Sequence, residues 1–593
     1  MFLYFNNMEP NGKIWQAMPE INSSFIQKNP QFNRVILQLL YNRNLHTNEQ
    51  IDYFLNTDFS KQILDPFLFN QMEEAVKLII HHIKQKNKIL IYGDYDADGV
   101  TASALLADTL STLKAEVDVY IPARVAEGYG LNNKAIKEIA GNGVKLIITV
   151  DGGIRNKKEV DYAKSLKLDI IITDHHVPPE KKENLPNCLM INPAMAGEKY
   201  PFKFLAGVGV AFKLAQAIIQ KSKLSADDKI KMAESNLDLL AIGTVADCVN
   251  LLGENRALVK KGLVKLNYTT RKGLKELLRA AKILPEETGK KLDAWNIGWQ
   301  IGPRLNAAGR MDHANTAYQL LVTKDKDEAQ KIAINLNEKN IDRQKITEEI
   351  TVEVEKQIDK KSRDKIIIGI CPPNLEISAW NEGVIGLVAG RISEKYNLPA
   401  IIITKTDEGL KGSGRSNIDE FNLIAVISAA GELLEKYGGH KNACGFSLKN
   451  KNLELFTKKI TDIANKELKN IELMPKIKIE ALVDLKEINE ELVNDMEKFA
   501  PFGQGNSRPK FASYGLTVID IKNMGYDGQH IKLRLKNENS GFFYAIGFGQ
   551  AEEWKNLRLG DKIDLVYYLE MNEFNGRREA QFKIVDIKKT IKQ

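Results

Sequence analysis

Long apolar runs, paired cysteines and nucleotide-binding loop signatures are missing from this chain, and each absence removes a class of protein. No uninterrupted apolar stretch approaches about 18 residues, so no membrane-spanning helix is expected. No basic-then-apolar leader ending in a small-residue cleavage site opens the sequence. The four cysteines, Cys188, Cys248, Cys371 and Cys444, are scattered without any CxxC spacing. Disulfide pairing is not expected, and a cytoplasmic protein with buried free thiols fits better. There is no P-loop and no serine motif of the G-x-S-x-G kind. A calcium loop counted from Asp94 fails as well, because Leu105 stands at the place where an EF-hand needs Glu. Neither an internal repeat nor a low-complexity tract interrupts the chain.

What is present is ordinary globular composition on a long chain. With 43% apolar and 27% charged residues, the 593 positions exceed one hydrophobic core, and roughly three to five domains are expected. The net charge of +7 permits an anionic partner without demanding one. Met1 to Asn7 read as an extension ahead of Met8.

Residues 1–86 read as a helical region, on spacings such as Val35, Leu37, Leu39, Leu40 and Met72, Ala75, Val76, Ile79, Ile80. Adjacent His81 and His82 on this stretch read as surface or capping residues. From about residue 87 strands and helices alternate in the βαβ rhythm of a doubly wound parallel sheet, then give way to helices up to residue 323. Residues 324–361 form one charge-laced helical stretch, of a kind that either bridges two domains or packs along one. A second α/β block covers 362–467, and short alternating strands over 475–593 suggest a small β-barrel.

The most informative pattern lies at the points where apolar runs stop. Lys88-Ile89-Leu90-Ile91-Tyr92 leads into Gly93-Asp94-Tyr95-Asp96-Ala97-Asp98-Gly99, and Leu146-Ile147-Ile148-Thr149-Val150 into Asp151-Gly152-Gly153. Ile170-Ile171-Ile172-Thr173 leads into Asp174-His175-His176, and Leu239-Leu240-Ala241-Ile242, read as a further strand, leads to Asp247. Open α/β sheets place their working crevice outside the carboxyl ends of their strands, so these side chains are delivered to one rim. On an extended strand end, Asp94, Asp96 and Asp98 share a face and repel one another unless a cation sits among them. Carboxylates with imidazole suit Mn²⁺ or Mg²⁺. Five or six such ligands match a two-metal centre with ions ~4 Å apart and one bridging carboxylate. Gly207-Val208-Gly209 reads as a tight turn ahead of a helix.

These motifs, with Gly99-Val100-Thr101 and Gly243-Thr244-Val245-Ala246-Asp247, resemble the DHH phosphoesterase superfamily, and within it the bacterial single-strand-specific exonucleases. The resemblance covers nearly the whole chain. It includes Gly302-Pro303-Arg304-Leu305-Asn306-Ala307-Ala308-Gly309-Arg310, Gly412-Ser413-Gly414-Arg415-Ser416, Gly438-Gly439-His440 and Phe499-Ala500-Pro501-Phe502-Gly503. It implies a DHH catalytic domain, a connecting helix, a DHH-associated domain and an OB-like barrel. The activity implied is 5′-to-3′ release of mononucleotides from single-stranded DNA with two Mn²⁺ or Mg²⁺ ions, in repair and recombination. A single-strand-binding protein and a helicase are implied partners.

Carried over by position, Asp94, Asp96, Asp98, Asp151, His175 and Asp247 hold the metals and Asp151 bridges them. His176 polarises the scissile phosphate or positions the water, with Asp98 as a further catalytic carboxylate, and Asp174 orients the histidines. Ser413 and Arg415 resemble the contacts to the end phosphate. Arg415 reads as lying in a Gly412-Ser413-Gly414 turn whose N–H groups make an anion nest. Arg124, Arg304 or Arg310, and His440 are further phosphate candidates, and Tyr129 could stack on a base. Phe542, Phe543, Tyr544, Arg577 and Arg578 are the candidates on the barrel. Two competing readings are a phosphodiesterase for short oligonucleotides or cyclic dinucleotides, and a non-catalytic DNA-binding scaffold.

Overall fold

A computed structural model describes residues 12–124, 126–358, 363–373, 380–537, 541–574 and 577–590, so the Met1-to-Asn7 extension lies outside the described residues. The chain forms two compact units, one of Ile63–Leu473 and one of Met1–Gln62 with Met474–Gln593. Among the described residues, no helix is long and apolar enough to cross a membrane.

The larger unit begins with five parallel strands: β1 (Lys88–Tyr92), β2 (Val117–Tyr120), β3 (Val144–Val150), β4 (Asp169–Thr173) and β5 (Leu189–Ile191), in the order β2-β1-β3-β4-β5. Ile91, Ile148 and Ile171 stand side by side at the centre with 0% exposure, which is why these strands read as unbroken apolar runs. The order reverses between β1 and β3. That switch point opens a crevice at their carboxyl ends, where Asp94 and Asp151 follow the two strands.

Six helices of this unit matter for the site: α1 (Ala97–Thr112), α2 (Gly207–Lys221), α3 (Leu237–Ala246), α4 (Gly302–Met311), α5 (Lys326–Gln357) and α6 (Ile385–Tyr396). Helix α3 corrects the strand expected at Leu239 to Ile242. Its Leu-Leu-Ala run is rich in helix formers, and it is buried on every face, so its sequence carries no amphipathic period to reveal the helix. A second correction concerns His82. It is 4% exposed, with its ring Nε2 3.0 Å from Asp169 Oδ2, so it is a core residue rather than a surface one.

Helix α5 spans 32 residues after an Asp325 cap that accepts from Glu328 N–H. Beyond it a mixed sheet, β6 (Ile367–Ile370), β7 (Ala400–Thr406), β8 (Gly409–Arg415), β9 (Leu434–His440) and β10 (Ala443–Leu448), runs in the order β9-β10-β8-β7-β6. Only β6 and β7 pair in parallel.

In the smaller unit, strand Phe511–Met524 pairs with both His530–Lys536 and Lys562–Phe574, which closes a barrel through Phe542–Gly547 and Arg577–Lys589. Register shifts at Val518/Asp520 and Val566/Tyr567 bend its long strands. Strand Ile14–Ala17 pairs in parallel with Lys476–Ile479, and Trp15 donates to Asp586 Oδ2 at 2.6 Å.

Candidate metal centre and phosphate pocket

The three aspartates after β1 do not share one extended face, because the strand stops at Tyr92 and helix α1 begins at Ala97. Asp94 lies in the connecting loop. Asp96 is the N-cap of α1, and its Oδ1 accepts the Asp98 and Gly99 N–H groups at 2.9 and 3.1 Å. Asp98, in the first turn, points inward, and Gly99 lets this turn close, since a Cβ there would lie 2.6 Å from the Asp94 Cβ. Ala97 N–H donates to Asn306 Oδ1 at 2.7 Å, so the Gly302-to-Arg310 motif on α4 braces the acidic loop.

Asp98 is 1% exposed and accepts from Gly207 N–H at 2.7 Å and Val208 N–H at 2.9 Å, the first amides of α2. The Gly-Val-Gly turn is thus a helix N-terminus that fixes a carboxylate. Sequence reading missed this because backbone amides carry no side-chain signal. Asp151 follows β3 with φ +59°, a left-handed conformation unusual for a residue with a side chain.

These elements bring three donor groups together: Asp94, Asp96 and Asp151; Asp98, His175 and Asp247; and Asp151, His175 and His176, each with ligand atoms within 4.8 Å of one another. His175 Nε2 lies 3.2 Å from Asp151 Oδ1 and 3.6 Å from Asp247 Oδ2. Asp247 reaches the cluster from the C-terminal end of α3. Asp151 Oδ1, Asp94 Oδ1 and His175 Nε2 are buried without a hydrogen-bond partner. Buried polar atoms are rarely left so, and three in one cluster fit divalent cations.

The electrostatics agree. Burial and then mutual repulsion raise the carboxyls of Asp94 and Asp151 far above the usual range, and lift Asp98 to about 7 and Asp247 to about 9. Burial, together with the neighbouring His176, lowers His175 to about 4, which keeps its imidazole neutral and able to ligate.

Asp174 behaves differently from the other carboxylates. It is 0% exposed, and it accepts from the N–H groups of His175 (2.7 Å), His176 (3.0 Å) and Ile154 (3.0 Å), with His176 Nδ1 at 2.8 Å. Against its burial, these contacts hold its carboxyl below the usual range, while Asp174 holds His176 above its own against the same opposition. Tyr129 donates its hydroxyl to Asp151 O at 3.2 Å and lies 3.1 Å from His176 Nδ1, so it supports the cluster while half its surface stays exposed.

Arg415 lies in the middle of a sheet rather than in a turn. Its strand β8 pairs with β7 and β10 on both sides, which occupies the backbone in ladder hydrogen bonds and leaves no anion nest. The glycines serve packing instead: a Cβ on Gly412 would lie 2.1 Å from the Phe446 ring, and one on Gly414 2.8 Å from Cys444 Sγ. The groups that could meet an anion here are side chains and a helix end. Arg415 Nη1 lies 3.2 Å from Ser413 Oγ, and Gly386 in the first turn of α6 lets that helix approach, with its Cβ position 3.0 Å from Ser413 Oγ and from Arg415 Nη2. His440 is level with Arg415 through Ala443, at the same end of the sheet.

Arg124 stacks over the Tyr95 ring at 4.8 Å. Arg310 donates to Gly383 O at 2.9 Å, and Arg304 donates to Asn337 Oδ1 at 3.0 Å and Gln300 O at 2.7 Å. Burial, then Arg124, Arg343 and Arg415, lower Arg310 to about 9.

On the barrel, Phe542 is 51% exposed with Arg534 3.5 Å over its ring, and Lys532 sits 4.3 Å over Tyr544. Phe543 stacks instead on buried Phe582, and Arg578 pairs with Glu490 at 2.7 Å. The Arg577 side chain lies outside the described residues.

Residues 88–244 match the DHH family, N-terminal domain, residues 374–466 the DHHA1 domain and residues 479–586 the RecJ OB domain. The chain is 37% identical over 556 residues to the single-stranded-DNA-specific exonuclease RecJ of Bacillus subtilis, a match covering 93% of this chain and 67% of that one. It is 31% identical over 533 residues to the Escherichia coli protein of the same name, covering 87% and 90%. A crystal structure of RecJ in complex with Mn²⁺ from Thermus thermophilus superposes with a TM-score of 0.81 at 26% identity, covering 98% of this chain and 80% of that one.

Proposed function

The chain belongs to the RecJ family of single-stranded-DNA-specific exonucleases, and from that premise we propose that it degrades single-stranded DNA from the 5′ end to mononucleotides in repair and recombination. The observation that carries this reading is the convergence of Asp94 Oδ1, Asp151 Oδ1 and His175 Nε2, buried and unpartnered, at the carboxyl ends of β1, β3 and β4.

Asp94, Asp96 and Asp151 would hold one divalent ion, and Asp98, His175 and Asp247 the other, with Asp151 between them. Bound Mn²⁺ or Mg²⁺ supplies an activated water and offsets charge at the scissile phosphate. With its Nδ1–H donated to Asp174, which holds its pKa above the usual range, His176 in the imidazolium form presents Nε2–H as the donor to a phosphate oxygen. Asp174 keeps both imidazoles in orientation.

Ser413, Arg415 and the α6 N-terminus form the receptor for a 5′-phosphate, with Arg124, Arg310 and His440 around it. Anchoring the end at a fixed place relative to the metals makes cleavage exonucleolytic and sets its polarity. Residues 87–323 act as the catalytic domain, α5 as the connecting helix and the α/β block that follows it as the DHH-associated domain. The cleft between the two α/β domains excludes a duplex. Residues 475–593 grip the strand through Phe542 and Tyr544. The enzyme works in the cytoplasm beside a helicase and a single-strand-binding protein, which family membership supports.

The test is digestion of a 5′-phosphorylated, 3′-labelled single strand beside its duplex and its 5′-blocked form, with Mn²⁺ and with EDTA. Metal-dependent loss of the free single strand alone is expected. Equal attack on the 5′-blocked strand overturns the polarity, and binding without cleavage overturns the activity.

A further inference from the structure

One polar face of helix α5 takes no part in the metal centre or the end-phosphate pocket. Asn337, Asn340, Arg343 and Thr347 recur along it at three- and four-residue steps, on the helix that packs against α4 with its Arg304 and Arg310. Such a buried seam is expected to be apolar. Here Asn340 is 1% exposed and its Oδ1 has no hydrogen-bond partner, and neither has the buried Nε of Arg343. Asn337 is satisfied by Arg304, and Thr347 donates its hydroxyl back to Arg343 O. Among the described residues of the stripe, the two atoms left without a partner are Asn340 Oδ1 and Arg343 Nε, at its middle.

The charge around them is also one-sided. Among the described residues, Arg304, Arg310 and Arg343 have no carboxylate within ion-pair distance, whereas Arg391 is paired with Glu348 at 2.5 Å. Burial and the neighbouring Arg391 and Arg304 lower the guanidinium pKa of Arg343, and Arg343 in turn lowers that of Arg310. A half-buried arginine facing other arginines, with an orphaned N–H, is costly unless an anion completes it. The row leads towards the end-phosphate pocket, because Arg310 donates to Gly383 O at 2.9 Å, three residues before the Gly386 that lies against Ser413 and Arg415.

We propose that Arg343 and Asn340 on α5, with Arg304 on α4, form a second phosphate subsite that holds an internal linkage of the single strand. The chemistry is that of a phosphodiester: one negative charge and acceptor oxygens, met by guanidinium N–H groups and by the Asn340 amide turned to present its NH₂. The connecting helix is then part of the substrate site, and it measures the strand beyond its terminal nucleotide. Arg343 acts as a binding and positioning residue, distant from the reacting atoms.

The proposal rests on the nuclease reading, and its test separates the two. The substrates are 5′-phosphorylated single strands in which one linkage at a time is a neutral methylphosphonate, and KM is measured for the full-length enzyme and for Arg343→Ala. Wild type should lose affinity about ten- to a hundredfold at one linkage other than the scissile one, the range of a charged hydrogen bond. In Arg343→Ala the KM for the unmodified strand should rise by a similar factor, and the penalty at that linkage should fall below about twofold. Arg343→Gln, which keeps most of the side-chain volume, serves where the alanine variant does not fold.

Wild-type indifference to every non-scissile linkage would overturn the subsite. So would a variant that keeps the full wild-type penalty. Failure of wild type to cut the unmodified strand would instead overturn the nuclease reading.

Discussion

Gly207 stands where any side chain would run into Asp151: a Cβ there would lie 2.5 Å from Asp151 Oδ1. The same glycine donates its N–H to Asp98 at 2.7 Å, so one residue at the start of α2 sets the position of two candidate ligands. Gly207→Ala should therefore lower Mn²⁺ affinity and nuclease activity about ten- to a hundredfold, the usual cost of disturbing a ligand's support. Overpacking should also cost about 1–3 kcal/mol of stability. Mn²⁺ titration and urea unfolding measure the two effects. Unchanged metal affinity would show that Asp151 does not depend on this glycine.

Asp174→Asn keeps the shape but removes the charge that orients His175 and His176. The amide can still accept from some of the donors gathered around Asp174, which the structure records at 2.7 to 3.0 Å. Activity on single strands should fall about ten- to a hundredfold. Full activity in steady-state assays would count against an orienting role.

Metal should stabilise the fold as well as enable the reaction. Burial and repulsion raise the carboxyls of Asp94, Asp98, Asp151 and Asp247, a burden that a bound cation relieves. Free Mn²⁺ at 100 times its Kd should add about 2.7 kcal/mol. Thermal unfolding over a Mn²⁺ series reads this as a rising midpoint, and EDTA should abolish the rise along with the activity.

Arg415→Ala should remove the advantage of a 5′-phosphate. The ratio of kcat/KM for 5′-phosphate over 5′-hydroxyl strands should drop about ten- to a hundredfold, because one charge-assisted contact is lost. Measuring both substrates on one preparation cancels any general loss of folding. An unchanged ratio would place the end-phosphate receptor elsewhere.

The parts of this molecule legible in sequence are those where a short apolar strand hands directly to a chemical residue. Asp94, Asp151 and the Asp174-His175-His176 run were visible because β1, β3 and β4 are buried on both faces and end abruptly. Asp247 is legible in the sequence for a different reason than the one that positions it, since an all-round apolar helix and a buried strand look alike over four residues. The amides of Gly207 and Val208 carry no side-chain signature. Gly412 and Gly414 resembled a turn because glycine marks both turns and close packing, and only the Phe446 and Cys444 side chains across the strand tell the two apart. The pairing of Ile14–Ala17 with Lys476–Ile479 joins residues too far apart in the chain for any local pattern to announce.

The central claim is a two-ion centre built around Asp151, and counting the ions tests it most directly. Calorimetric titration of the metal-free protein with Mn²⁺ should give two ions per chain for the wild type, with at least one tight site lost in Asp151→Asn together with the nuclease activity. A single ion in the wild type, or two ions retained by Asp151→Asn at wild-type affinity, would contradict the account.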